Sequence, residues 1–185
     1  MGLKIASVVA VMALAGCGNI AAVKSFSTKF ESPPDGETAN LRVITNGMVR
    51  GVPNSDCINW YIPGAGVIAA QDGFAHRNDE DLRMPDSKWT AAVSKSNFYA
   101  TEVRVPAGTP LTLDFIGNGR VTAYAREQCF LARSFTPEAG HNYELVMIQD
   151  GSTCRFRLVD FVNPTEETAV KAEGAGFCKK SHSFM

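Results

Sequence analysis

Five cysteines, three histidines and one acidic run are the residues of this 185-residue chain whose types and spacing could support chemistry. Cys57, Cys129, Cys154 and Cys178 form an even set, which in an oxidising compartment reads as two disulfides. Four cysteines allow three connectivities, and spacing does not choose among them. The favoured pairing is Cys129–Cys154 with Cys57–Cys178. The first bridge would close a loop around one strand and return between neighbouring strands, and the second would pin the C-terminal tail to the N-terminal half. Zinc is the competing chemistry, but neither CxxC nor HxxxH spacing occurs. His76 lies beside Asp79, Glu80 and Asp81, residue types that can hold a hard cation or act as a general base. That run lacks the alternating ligands and central glycine of a calcium loop, and a solvated loop accounts for it. His141 follows Pro137-Glu138-Ala139-Gly140 as a polar turn residue, and His182 sits near the C-terminus. The chain contains no HExxH, GxSxG, P-loop or GxGxxG. The expectation is a non-catalytic protein with no metal and no cofactor.

The remaining chemistry is recognition. Trp60, Tyr61, Phe74, Trp89, Phe98 and Tyr99 bracket or occupy a polar stretch, residues 71–97, and exposed aromatics there could stack on sugars or bury against a protein. Trp60, Tyr61, Phe74, His76 and Trp89 are therefore the candidate binding loop, with core packing as the plainer account of each. Lys and Arg never run longer than Lys179-Lys180, so no nucleic-acid partner is expected.

Cys17, the fifth cysteine, closes Leu14-Ala15-Gly16-Cys17 behind an apolar run from Ile5 to Ala13, with Lys4 ahead of it. The run is too short to span a bilayer and has the length of a signal-peptide core. This stretch resembles the lipobox of a bacterial lipoprotein precursor. The resemblance implies cleavage between Gly16 and Cys17, a diacylglycerol on the Cys17 thiol and a further acyl chain on its amine. Each buried methylene contributes about 0.8 kcal/mol, so two or three chains hold a protein on a membrane durably. Gly18 is not the Asp that marks inner-membrane retention in many such lipoproteins, which points to the outer membrane, facing the periplasm. Removing residues 1–16 leaves 185 − 16 = 169 residues, enough for one domain with a substantial core. The formal charge of −1 includes Lys4, so the processed chain is near −2.

The elements that must position these residues are strands. Residues 17–29 lack a clear period and read as a lipidated tether, leaving residues 30–185 as a single domain. Leu41-Arg42-Val43-Ile44, then Asn46-Gly47, then Met48-Val49-Arg50-Gly51-Val52 reads as a β-hairpin. Further strand signals fall at 57–62, 66–70, 98–105, 111–115, 121–125, 129–135, 143–148 and 154–161, the last two separated by Asp150-Gly151. Residues 71–97 are a long excursion with room for a short helix at 89–93. Without helix-period segments between strands, the pattern predicts an all-β antiparallel sandwich rather than an α/β sheet.

Three segments repeat the form strand, Pro, small or acidic residues, Gly, strand: Phe30-Glu31-Ser32-Pro33-Pro34-Asp35-Gly36, Val103-Arg104-Val105-Pro106-Ala107-Gly108 and Ser134-Phe135-Thr136-Pro137-Glu138-Ala139-Gly140. Proline ends a ladder and glycine permits a positive-φ turn, so each is expected to be a sheet-edge corner. The wording over roughly residues 30–161 resembles the immunoglobulin- or transthyretin-like sandwiches of bacterial envelope lipoproteins. That resemblance implies a fold more than a role, since sandwiches host many functions. Two functions are expected: a membrane-anchored structural or protein-interaction module meeting an envelope protein or the cell wall, or a ligand-binding or inhibitor module using the 71–97 loop.

Overall fold

The computed structural model describes residues 20–32, 34, 36–71, 78, 80–93, 97–121, 123, 125–163 and 166–179. The expected signal helix and Cys17 lie outside them. The described chain forms twelve strands and two short helices: α1 (Ile20–Lys24), β1 (Thr38–Thr45), β2 (Met48–Val52), β3 (Gly66–Ala69), α2 (Thr90–Val93), β4 (Tyr99–Pro106), β5 (Leu111–Ile116), β6 (Arg120–Val121), β7 (Arg126–Glu127), β8 (Phe130–Phe135), β9 (Asn142–Asp150), β10 (Thr153–Asn163), β11 (Glu166–Ala169) and β12 (Glu173–Gly174). Sheet I has the order β11-β10-β9-β1-β4, sheet II the order β12-β8-β5-β2-β3, and β6 pairs with β7 in a separate ribbon. The expected all-β sandwich is the architecture. Alternate residues of each strand face inward, as a period of two demands. Leu41, Val43, Val103, Val105, Leu145 and Met147 of sheet I meet Val49, Leu111, Leu113 and Phe115 of sheet II, all fully buried in one core.

The three Pro–Gly segments are corners, and they gather at one end of the sandwich. Gly36, Gly108 and Gly140 have φ of 96°, 73° and 76°, a region that favours glycine. Their neighbours bond to one another: Ala107 N–H to Glu37 O at 2.9 Å, Gly108 N–H to Pro137 O at 2.8 Å and Gly140 N–H to Thr38 O at 2.9 Å. At this end β4 hands the chain from sheet I to sheet II, and β8 returns it. Because β1 and β9 both start from these corners, they run side by side in parallel, Asn40 opposite Asn142 through Thr45 opposite Met147. The remaining strand pairs are antiparallel, so the expected antiparallel sandwich carries one parallel seam.

The expected hairpin at Asn46-Gly47 is instead a crossing between sheets, since β1 belongs to sheet I and β2 to sheet II. A two-residue type I′ hairpin needs positive φ at both central residues, and neither Asn46 nor Gly47 has it. Asn46 is held elsewhere: its side chain donates to Gln149 O at 2.8 Å and accepts from Gln149 N–H at 2.9 Å, continuing the β1–β9 seam by one rung. The expected strand at 57–62 is turns with a single bridge at Ile58, because Asn59 Oδ1 accepts from Tyr61 N–H at 3.1 Å and folds the backbone back. Of the expected strand at 121–125, Val121 belongs to β6, and Thr122 and Tyr124 lie outside the described residues. Asp150-Gly151 does close the β9–β10 hairpin, with Thr153 opposite Asp150.

Both favoured disulfides are present. Cys129–Cys154 does not return between neighbouring strands as expected; it joins the residue before β8 in sheet II to β10 in sheet I, stapling the sandwich across its core. Cys57–Cys178 ties the loop after β2 to the C-terminal segment.

Candidate interaction surfaces

The outer faces of the two sheets carry the remaining features. On sheet I, Arg42 and Glu102 sit opposite each other on β1 and β4, and Arg42 is also opposite Glu144 on β9. The Arg42 guanidinium is buried and reaches Glu102 at 2.8 and 3.0 Å, Glu144 at 3.4 Å, and the carbonyls of Met84 at 2.8 Å and Pro85 at 2.6 Å. Glu144 is fully buried and accepts in addition from Arg157 and, at 2.6 Å, from the Ser87 hydroxyl. Each donor of this network therefore falls on an acceptor, which a buried charge requires.

The network latches down the 80–93 part of the expected excursion. Glu80 N–H bonds to Glu102 O, Leu82 N–H to Glu102 Oε2, and Ser87 caps α2 by accepting from the N–H groups of Trp89 and Thr90. The short helix expected near 89–93 is α2. Trp89 and Phe98 pack on Ile44, Val146 and Ile148, the apolar part of the same face. Beside them lies a cleft of about 360 Å³ lined by Trp89, Val146, Ile148 and Phe156 with Arg155 and Arg157. The Trp89 indole N–H is buried without an acceptor.

On sheet II, Arg50 and Asp114 are opposite each other on β2 and β5. The guanidinium meets Asp114 Oδ2 at 2.5 and 3.1 Å and donates to Ser25 Oγ at 2.5 Å. It lies between the rings of Phe26 and Trp60, 4.1 and 4.0 Å from their centroids, a double cation–π contact. Burial pushes the Asp114 carboxyl above its ordinary range against the pull of Arg50, and burial also lowers the Arg50 guanidinium.

Arg50 thereby binds the segment expected to be a free tether. Thr28 O accepts from Val67 N–H at 2.7 Å, and Phe30 N–H bonds to Val67 O at 2.9 Å. Gly66 makes room for this, since a Cβ there would lie 2.4 Å from Thr28 O. Phe30 is fully buried in the core, so the chain is held to sheet II from Ser25 onward. Residues 55–62 and the C-terminal segment complete the cover: the Thr112 hydroxyl donates to Ser55 O, Ile58 N–H bonds to Gly176 O, and Cys178 N–H bonds to Ile58 O.

The aromatic set expected to form one binding loop is divided. Trp60 lies over Arg50 on the sheet II side with Tyr61 exposed beside it, whereas Trp89 packs on sheet I. Phe74 and His76 lie outside the described residues.

At the corner end, His141 Nδ1 lies 2.6 Å from Asp160 Oδ2, its Nε2 is 3.6 Å from Glu138, and its ring stacks on Tyr143. The Asp160 hydrogen bond raises the His141 pKa above its ordinary 6.5. This pair was hidden in the sequence, where His141 reads as a turn residue and Asp160 is one residue of a strand signal nineteen residues on.

Among the described residues no helix is long and apolar enough to cross a membrane. No protein-family model matches the chain, no curated protein matches it, and no solved structure matches it.

Proposed function

We propose that this chain is a lipid-anchored lipoprotein of the bacterial envelope, and that its sandwich is a non-catalytic structural or protein-interaction module. One observation carries the reading: Cys57, Cys129, Cys154 and Cys178 pair with one another, which leaves Cys17, the cysteine of the lipobox-like stretch, as the single cysteine outside a disulfide. Two disulfides suit an oxidising compartment, and a lone cysteine behind Leu14-Ala15-Gly16 suits acylation. Gly18 favours the periplasmic face of the outer membrane as the address. The partner is an envelope protein or the cell wall.

The test is the intact mass of membrane-extracted protein, from wild type and from Cys17→Ala, with and without reduction. The expected mass lacks residues 1–16, carries acyl chains only when Cys17 is present, and gains four alkylating groups only after reduction. An uncleaved chain with free thiols would overturn the reading.

A ligand-binding or inhibitor role for the 71–97 loop is the second reading. It draws support from the Arg42–Glu144 latch, because a loop held in one conformation before binding loses less entropy on contact. Deleting that loop's exposed residues would abolish partner capture under this reading and leave it intact under the first.

A further inference from the structure

We infer that the outer side of sheet II is the face this protein lays against the bilayer, with sheet I turned toward the periplasm. The inference rests on the anchored reading above and names the surface that reading requires. Six large apolar side chains are exposed among the described residues: Ile20, Val23, Phe26, Tyr61, Phe130 and Phe177. All six belong to sheet II or to the segments laid over it. Ile20, Val23 and Phe26 recur every third residue through α1 and the turn that follows, and are 52 %, 71 % and 40 % exposed. Phe130, at 66 %, ends a row that crosses the sheet: Met48, Ile116 and Phe130 stand opposite one another on β2, β5 and β8, all pointing outward. Phe26 closes that row into a groove of about 440 Å³.

Exposed apolar side chains gathered on one side of a small domain mark a contact with another apolar body. The chain itself says which body. Cys17 precedes Ile20 by three residues, a reach of roughly 11 Å at full extension. Acyl chains on Cys17 therefore hold Ile20 within that distance of the headgroups, and the Arg50 clamp at Ser25 and Phe26 fixes the rest of the domain to the same point. Lys24 and Lys29, both exposed on this segment, are placed to meet anionic headgroups. A protein partner on this face would have to occupy the space that the bilayer fills. The outer face of sheet I differs: Trp89 and Phe98 close over its apolar part, the rest is a buried ion network, and none of the exposed large apolar side chains among the described residues lies on it.

The two tryptophans of the chain report on the two faces, Trp60 on sheet II and Trp89 on sheet I. We would place the processed, acylated protein in phosphatidylethanolamine–phosphatidylglycerol vesicles with bromine in the acyl chains, and follow tryptophan quenching in Trp89→Phe and Trp60→Phe. Both substitutions keep an aromatic ring. The expected result is several-fold stronger quenching of Trp60 than of Trp89, reduced by adding Val23→Ser and Phe130→Ser, with circular dichroism and acylation unchanged. Equal quenching, or stronger quenching of Trp89, overturns the inference. Failure of the anchored reading is seen separately, as a mass without acyl chains. In that protein, selective Trp60 quenching by added vesicles still upholds the face, and its absence overturns it.

Discussion

Each sheet of this sandwich has an outer cover, and the two covers are fastened by different physics. The cover of sheet I, residues 80–93, is held by charge: Arg42 and Glu144 are buried beneath it and bond to its backbone and to Ser87. The cover of sheet II is held by a covalent bridge, Cys57–Cys178, and by one cation gripped between two rings. A charge latch depends on each buried group keeping its partner, whereas a staple acts by restricting the unfolded chain. Breaking the fastenings one at a time separates the two.

The largest effect belongs to the staple. Its cysteines are 121 residues apart, and a loop of that length corresponds to about 4–5 kcal/mol of closure entropy. Cys57→Ser with Cys178→Ser should lower the urea unfolding free energy by that order, more than Cys129→Ser with Cys154→Ser, whose loop of 25 residues corresponds to about 3–4 kcal/mol. A larger loss from the shorter bridge would show that stapling the core outweighs loop length. Arg42→Met comes next. It leaves Glu144 buried with only Arg157 and Ser87, at an expected cost of about 3–5 kcal/mol. Hydrogen exchange should quicken in residues 80–93 and stay unchanged in residues 55–62; quickening in both would mean that the covers are not independent.

Arg50→Met should cost less than Arg42→Met, because the partner it orphans is already pushed toward its neutral form by burial. The sign with pH follows. Without Arg50, the folded Asp114 pKa rises further above the ordinary 3.8, the folded state takes up a proton, and stability is lost as pH rises from 3.8 through the folded value. The variant should therefore approach wild type in acid and fall furthest behind at neutral pH, measured as urea midpoints across that range. A pH-independent gap would locate the loss in packing against Phe26 and Trp60.

The smallest effect is at the corner end, outside both covers. The folded His141 pKa lies above 6.5, so its pairing with Asp160 stabilises fully below the unfolded value and fades as pH rises through the folded one. His141→Gln should differ most from wild type below about pH 6 and converge with it in mild alkali. A gap that widens with pH would contradict the pairing.

How much of this was legible depends on sequence distance. Alternation placed the core strands, and the repeated Pro–Gly wording placed the corners, because both are local properties of backbone and side chain. The hairpin at Asn46-Gly47 failed for a non-local reason: Asn46 gives its hydrogen bonds to Gln149, over a hundred residues away, and no local signal announces such a partner. The same holds for Arg42 with Glu144 and for Arg50 with Asp114. In the sequence these arginines stand only as members of two strand signals, with no partner marked. Trp60 and Trp89 form one group in the sequence because one brackets and the other occupies the 71–97 stretch, yet the sandwich places an entire core between them.

The parallel seam between β1 and β9 also governs the order in which the fold can assemble. A chain emerging N-terminus first brings β4 to one edge of β1 when residue 106 has appeared, but its other edge waits for residues 142–147. Throughout that interval β1 presents unpaired N–H and C=O groups along a strand whose inner face is Leu41 and Val43, a template for wrong pairing. Contacts this distant in sequence also form slowly. Synthesis of nearly the whole chain must precede closure of sheet I, so an escort that shields β1 would raise folding yield without touching the finished structure.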